Sequence, residues 1–347
     1  MPAAAATIAM SGGVDSSVAA ALLLDEGYRC TGLTLKLYGE KDADIDDARQ
    51  AAEKLGMAHE VLDFSESFRE AVIRNFIESY ERGDTPNPCI SCNRYIKFGR
   101  LFSQIRQNGC EIFATGHYAR TEKSGDRWLL RKAADLKKDQ SYVLFSLGQE
   151  ILAHTRFPLG NLSKNEVREI AEARGLLNAH KKDSQDICFI PDGNYGDFME
   201  RYTGKTYPPG DILDPEGKVI GRHTGIIRYT LGQRRGLGVA VNQPVYVCAK
   251  DLAGNTVTLG PENTLYSKTL TADRINLIAC GSIDKPMRVS VKTRYLQQEH
   301  PAWAEQTADD EIRVEFDEAQ RAITPGQAAV LYDGDLVVGG GIIRQRS

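Results

Sequence analysis

Ala9-Met10-Ser11-Gly12-Gly13-Val14-Asp15-Ser16-Ser17 is the stretch on which the fold turns. An apolar run suited to a short strand, Thr7–Met10, leads into it, and an apolar helical run, Val18–Leu24, leads out. A strand, a glycine loop and a helix in that order present free backbone N–H groups and a positive dipole end to an anion. The two glycines let the backbone approach a phosphate closely, the serine hydroxyls donate, and Asp15 is placed to hold Mg²⁺ between phosphates. No Gly-Lys-Ser/Thr follows, so this is not a Walker A loop, and G-x-G-x-x-G is absent too. A plain glycine-rich turn with a serine cap is the bland alternative. The position of the whole hexapeptide Ser11–Ser16 at the first strand end favours a nucleotide.

Further out, strand and helix patterns alternate. Thr31–Leu37, Glu60–Phe64 and Ile112–Thr115 read as strands. Asp44–Leu55 reads as a helix, and a capping box at Ser67-Phe68-Arg69-Glu70 predicts another running to about Arg82. A proline turn at 85–88 precedes a helix holding Ile96, Phe98 and Leu101. Such alternation implies an α/β fold with a parallel sheet covered by helices on both faces. Arg120–Lys132 alternates like a hairpin about Ser124-Gly125-Asp126, and Ser163-Lys164-Asn165-Glu166 is a second capping box. From about Gly193 glycine and proline become dense. There helices are expected to vanish, leaving short strands in barrel-like β domains. Asp333-Gly334 marks a hairpin turn between two of them.

Composition excludes more than it assigns. With 347 residues and a net charge of −4, the chain offers no global attraction to a polyanion. Residues 120–138 nevertheless hold seven basic side chains against three acidic ones, and Lys181-Lys182 and Arg234-Arg235 add basic pairs. No apolar stretch is long enough for a membrane span, and the N-terminus resembles neither a signal nor a transit peptide. A cytoplasmic protein is expected, without membrane association. No extended apolar seam is evident, so a monomer is the default. Seven cysteines, an odd number, argue against a disulfide framework.

Two places concentrate the chemistry of those cysteines. In Pro86-Asn87-Pro88-Cys89-Ile90-Ser91-Cys92-Asn93 a Cys-x-x-Cys falls at a helix start. The dipole there, with Arg94 and Lys97, is expected to lower the thiol pKa. No second pair exists to complete a zinc site. Cys188, within Ile187-Cys188-Phe189-Ile190, taken alone reads as a core thiol, and Cys30, Cys110, Cys248 and Cys280 read as packing.

The glycine loop resembles the PP-loop of the ATP pyrophosphatases. The chain is similar, nearly end to end, to the tRNA-specific 2-thiouridylases, the MnmA/TrmU family. The motifs are the segment at 9–16, Pro-Asn-Pro-x-x-x-Cys-Asn at 86–93, Ala-Thr-Gly-His-Tyr at 114–118 and Lys-Asp-Gln-Ser-Tyr at 138–142. Lys-Asp-Ser at 182–184, Ile-Cys-Phe-Ile at 187–190, Tyr-Thr-Leu-Gly-Gln-Arg at 229–234, Thr-Arg-Tyr at 293–295 and Thr-Pro-Gly-Gln at 324–327 complete the series. The resemblance implies a PP-loop adenylation domain at 1–195, a small central domain at 196–268 and a C-terminal β-barrel at 269–347. It implies ATP-dependent thiolation at C2 of the wobble uridine in the tRNAs for Lys, Glu and Gln. A cysteine desulfurase or sulfur-carrier protein would donate the sulfur.

Carried over residue by residue, Ala9, Met10, Ser11, Gly12, Gly13, Val14, Asp15, Ser16, Leu35 and Gly116 would contact ATP. Asn87, Pro88 and Cys89 would meet the target base. His117, Lys138, Asp139, Gln140, Arg294, Tyr295 and Gln327 would contact tRNA. Cys92 would be the nucleophile and Cys188 the persulfide carrier, with a Cys92–Cys188 disulfide as the spent state. Many members carry aspartate where this chain has Cys89. Cys89, Cys92 and Cys188 could then hold three irons of a [4Fe–4S] cluster, with hydrosulfide on the fourth. Cys89 as a spare thiol beside a persulfide relay is the simpler reading. Two other classes stay open at this point. One is an amide-forming ligase, for which no glutaminase domain is visible; the other is an RNA-binding scaffold, which would leave the glycine loop without purpose.

Overall fold

The computed structural model describes residues 4–39, 42–179, 181, 187–240 and 243–346. Strands β1 (Ala5–Ala9), β2 (Arg29–Lys36) and β3 (Ala58–Asp63) alternate with helices α1 (Val14–Asp25) and α2 (Asp42–Lys54). Helix α3 covers 65–81 and helix α4 covers 88–107, each widening into π geometry, at Arg69–Ile73 and Cys92–Leu101. Strand β4 (Ile112–Thr115) follows, then the hairpin β5 (Ala119–Ser124) and β6 (Arg127–Lys132). Short helices α5 (Ser141–Leu144) and α6 (Gln149–His154), strand β7 (Thr155–Arg156) and helix α7 (Lys164–Ala173) complete this part.

The first sheet runs β3-β2-β1-β4-β7, all parallel, as the alternation predicted. Chain order reverses direction between β1 and β4. Ligands of such sheets bind beyond the strand ends at that switch point. The loops after β1 and β4 are 11–13 and 116–118. Ile8 and Ala20 are fully buried in one core cluster and Val18 and Ala19 in another, so both flanks of the loop are anchored.

Two expectations fail here. No capping box forms at Ser67. Helix α3 starts at Ser65, whose N–H donates to Asp63 Oδ1 at 2.8 Å. Ser67 and Glu70 instead accept from Arg100 on α4, at 2.6 and 3.1 Å. Nor do helices vanish after Gly193. Helix α8 (Tyr195–Thr203) is capped by Asn194, whose side chain accepts from Asp197 N, and is closed by Gly204 at φ +69°. That Asn-x-x-Asp and glycine pair was a readable signal.

Strands β8 (Gly210–Leu213), β9 (Val219–His223), β10 (Tyr246–Asp251) and β11 (Thr256–Gly260) form a small sheet ordered β10-β11-β8-β9. Strands β12 (Tyr266–Leu277), β13 (Met287–Lys292), β14 (His300–Ala308), β15 (Glu311–Arg321), β16 (Ala328–Asp333) and β17 (Leu336–Arg346) make a barrel. Pairing of β12 with β17 closes it around a dry interior of Val291, Ala302, Ile312, Val314 and Leu331. The β5–β6 hairpin leaves its own domain and joins this barrel, Arg131 pairing with Leu336 beside β17. Arg131 and Arg120 both donate to the Asp335 carboxylate, at 2.6 and 2.8 Å.

Candidate active site

Gly13 sits at the N-cap of α1 and no side chain caps that end. Its first N–H groups therefore face the switch point ready for an oxyanion. The loop itself is tied down. Ser16 Oγ accepts from Ser11 N and donates to Gly13 O, and Ser17 Oγ also donates to Gly13 O. Asn178 and Lys181 both donate to Gly12 O, and Lys181 also pairs with Asp44 and Asp47 at the start of α2. Gly12 has φ +71°, and a Cβ there would lie 2.1 Å from Asp44 O. Gly116 packs on the loop from β4: a Cβ there would stand 2.7 Å from Ser16 N. Met10 N donates to Leu33 O, and Leu35 is buried two residues on. The residues expected to contact ATP thus gather around one strand-end crevice.

Asp15 departs from expectation. Its carboxylate accepts from Lys164 Nζ at 2.7 and 2.8 Å and from the Tyr118 hydroxyl at 2.7 Å. Held this way it is engaged with protein donors rather than offered to a magnesium ion.

Asn87 caps α4, its side chain accepting from Cys89 N at 3.0 Å, with Pro88 in the first turn. Cys89 is exposed, yet burial pushes its thiol pKa up and outweighs the opposing pull of Lys97. The Cys89 thiol is thus raised rather than lowered, desolvation of the thiolate exceeding the pull of Lys97. Tyr295 and Lys97 are within electrostatic reach of it, and burial pushes Tyr295 up to about 12. Cys92 is half-buried at the start of the π-helical segment and packs against the main core, as does Ile187. Cys188 is exposed, and its neighbour Phe189 is locked edge-on against Phe68 and Phe76 at 5.6 and 5.4 Å. The motif at 182–184 lies outside the described residues. Among the described residues no three His, Cys, Asp or Glu side chains converge as a metal site requires. Cys89, Cys92 and Cys188 are thus not assembled into a cluster cradle here.

The residues expected at tRNA divide into two groups. His117 is buried, bonded through Nδ1 to Thr115 Oγ1 at 2.7 Å, with its pKa held well below the usual range by burial and then Lys97. Asp139 is buried too, accepting from Ala133 N, Ser141 N and the Ser141 hydroxyl. Arg294 donates to Leu231 O, Ala322 O and Thr324 Oγ1, stitching the small sheet to the barrel. Gln327 donates to Thr85 O at 2.7 Å. These four side chains hold parts of the protein together. Lys138, Gln140 and Tyr295 remain partly exposed at the surface.

Sequence reasoning missed one junction. Thr85 N donates to Pro325 O at 2.8 Å, and Gly326 (φ +89°) passes so close that a Cβ would lie 2.9 Å from Asp84 Cβ. Lys250 of β10 points its buried amine here without a hydrogen-bond partner, and burial lowers its pKa to about 8. No local pattern announces a contact made by three distant segments.

A parallel sheet whose switch point meets an uncapped helix end, in a domain that also carries a cysteine pair at a helix start, defines an α/β domain of the HUP/PP-loop type. Residues 4–192 match the tRNA methyl transferase HUP domain, 196–261 the tRNA methyl transferase PRC-barrel domain, and 267–343 the aminomethyltransferase beta-barrel domain. The chain is 46% identical to the tRNA-specific 2-thiouridylase MnmA of Acetivibrio thermocellus, with 97% of this chain and 98% of that protein covered. It is 47% identical to the protein of the same name in Treponema denticola, covering 97% and 96%. The chain belongs to the tRNA-specific 2-thiouridylase family.

Proposed function

We propose that this enzyme thiolates C2 of the wobble uridine of tRNA at the expense of ATP. The observation that carries the reading is the uncapped α1 end at the switch point, supported by a cysteine pair at the start of α4. A uridine C2 carbonyl has no leaving group. Transfer of AMP to its oxygen releases pyrophosphate and supplies one. Residues 9–16, Leu35 and Gly116 hold the nucleotide, and Asn87, Pro88 and Cys89 face the base. The base must be splayed from the anticodon loop to reach them.

The relay reading routes sulfur through Cys188 persulfide. Its terminal sulfur attacks C2, and AMP leaves with the oxygen. Cys92 thiolate then attacks the Cys188 sulfur, breaking the S–S bond, freeing the thiocarbonyl and leaving a Cys92–Cys188 disulfide. An external dithiol reduces it by exchange. Cys92 attacking first, to liberate hydrosulfide, gives the same balance. Sulfur arrives from a desulfurase or carrier protein, and the tRNAs for Lys, Glu and Gln are the substrates. Mg²⁺ would enter with the ATP phosphates, and Asp15 would reach it only by giving up its pair with Lys164. A [4Fe–4S] route would instead need Cys89, Cys92 and Cys188 to converge on one cluster. Anaerobic reconstitution decides it: iron and sulfide uptake that is required for thiolation would replace the relay.

Lys138, Gln140 and Tyr295 are the side chains placed to meet tRNA, while His117, Asp139, Arg294 and Gln327 shape the surface beneath. We divide the chain at 1–195, 196–268 and 269–347, with the hairpin crossing over. No described helix is long and apolar enough to cross a membrane, and a monomer working in the cytoplasm fits the reading. The test is ATP/pyrophosphate exchange with and without tRNA, followed by mass analysis of the wobble nucleoside. Exchange that ignores tRNA would favour an amide-type ligase; no exchange would favour a scaffold.

A further inference from the structure

The Asp15 carboxylate is the meeting point of two hydrogen-bonded routes that both start in segment 134–140. In the first, Gln140 and Tyr118 bond reciprocally, Tyr118 N to Gln140 Oε1 and Gln140 N to Tyr118 O, both at 2.9 Å. The Tyr118 hydroxyl then donates to Asp15. In the second, the Lys164 backbone N–H donates to Asp135 Oδ2 at 3.1 Å, and the Lys164 ammonium holds both Asp15 oxygens. Tyr118 and Lys164 are buried, at 2% and 7% exposure, so neither contact is a loose surface pair. The outward side of segment 134–140 differs completely. Leu136 is 70% exposed, and Lys137 and Lys138 flank it. Together with Asp135, Asn161, Lys164, Glu166 and Arg168 they line an open hollow of about 760 Å³, in which four basic side chains outnumber two carboxylates. One segment therefore faces a net-basic hollow on one side and is wired to the ATP loop on the other.

We propose that Tyr118 and Lys164 are positioning residues that set the ATP loop through Asp15 and make its competence depend on a polyanion seated at segment 134–140. Asp15 then anchors the loop instead of ligating magnesium. The inference rests on the tRNA reading above, since tRNA is the polyanion that would occupy the cavity. Its physical logic is preorganisation. The first-turn N–H groups of α1 stabilise a transferring phosphate only when held at the right place, and small displacements cost rate steeply. Occupancy of Lys137 and Lys138 would press segment 134–140 inward and settle both routes at once.

The test uses the full chain and four variants: K164M, Y118F, D15N and D15N/K164M. The last removes the carboxylate that K164M would strand, so a folding defect in K164M alone does not end the experiment. Thermal melts report folding, pyrophosphate release reports ATP cleavage, and filter binding reports tRNA affinity. K164M should lower tRNA-stimulated pyrophosphate release at least tenfold, mainly in kcat, with KM for ATP and tRNA affinity changed less than threefold. Y118F should lose less. D15N/K164M should be no worse than the poorer single variant, because both act through one contact. The Mg²⁺ concentration for half-maximal rate should not move in D15N. A K164M enzyme stimulated by tRNA as fully as the wild type would overturn the coupling while leaving the tRNA reading intact. A D15N enzyme rescued by added Mg²⁺ would overturn the anchor role. A wild type that tRNA never stimulates would overturn both readings.

Discussion

The ATP loop and the thiol loop lie in one domain but are built in opposite ways. The ATP loop is held from within the first domain: a strand enters it, a helix leaves it, its serines and glycines bond to one another, and Asn178, Lys181 and Lys164 tie it from further along the chain. The thiol loop at 84–92 is held from far off. Its first residues dock on Pro325, Gly326 and Gln327 of the barrel, and Tyr295 of the barrel stands near Cys89. The glycine loop is thus assembled within the first domain, while the loop bearing Cys89 and Cys92 leans on the barrel.

Separating the two halves by mutation is the sharpest way to break that contrast. C92A should cut thiolation by about a thousandfold or more while tRNA-dependent ATP/pyrophosphate exchange persists. Nucleoside mass analysis beside exchange reads both, and full thiolation by C92A would end its catalytic assignment. G12A attacks the other half. A left-handed φ costs a residue with Cβ about 1–3 kcal/mol, and overlap with Asp44 O adds to it. Exchange should fall about a hundredfold, and thiolation with it. Salt tests the surface that both halves share. With about three phosphate contacts, tRNA affinity should drop roughly thirtyfold between 50 and 200 mM salt; a flat response would remove the basic segment from the tRNA surface.

G326A probes the docking of the thiol loop. It should lower thiolation about tenfold with exchange unchanged, because a Cβ at 326 would press on Asp84 and Thr85 at the head of the thiol loop; equal losses in both assays would erase the distinction between the halves. The smallest effect concerns Lys250. Its folded pKa is depressed to about 8 from an ordinary 10.5. The unfolded chain then binds the extra proton between those values, so stability rises as pH climbs from about 8 to 10.5. K250M should raise Tm by a few degrees at pH 7, and the gain should fade above pH 8.

The same contrast explains what could be read from the chain. The glycine loop, the strand–helix alternation, the hairpin at 120–132 and the Ser163 capping box are local patterns, and the structure contains each. Ser67 failed as a cap because Arg100, thirty-three residues on, claims its hydroxyl. The partners of Asp15 were invisible for a like reason: Lys164 lies 149 residues away and no spacing rule links them. Burial was equally invisible at Cys89, where a helix start suggested a lowered pKa and surrounding protein imposed a raised one.

The β5–β6 hairpin has a consequence for how the chain is made. Its partner strand β17 begins roughly two hundred residues later. At 5–20 residues per second, a ribosome leaves the outer edge of β6 without a neighbour for about 10–40 s. Unpaired edges recruit other strands, so each nascent chain passes through an interval in which this hairpin is its most adhesive part. Arg120, Lys123, Arg127, Arg131 and Lys132 give that hairpin a strong positive charge. Charge on an unpaired edge opposes pairing with another chain, so the net positive charge of the hairpin counters the hazard that its late-arriving partner creates.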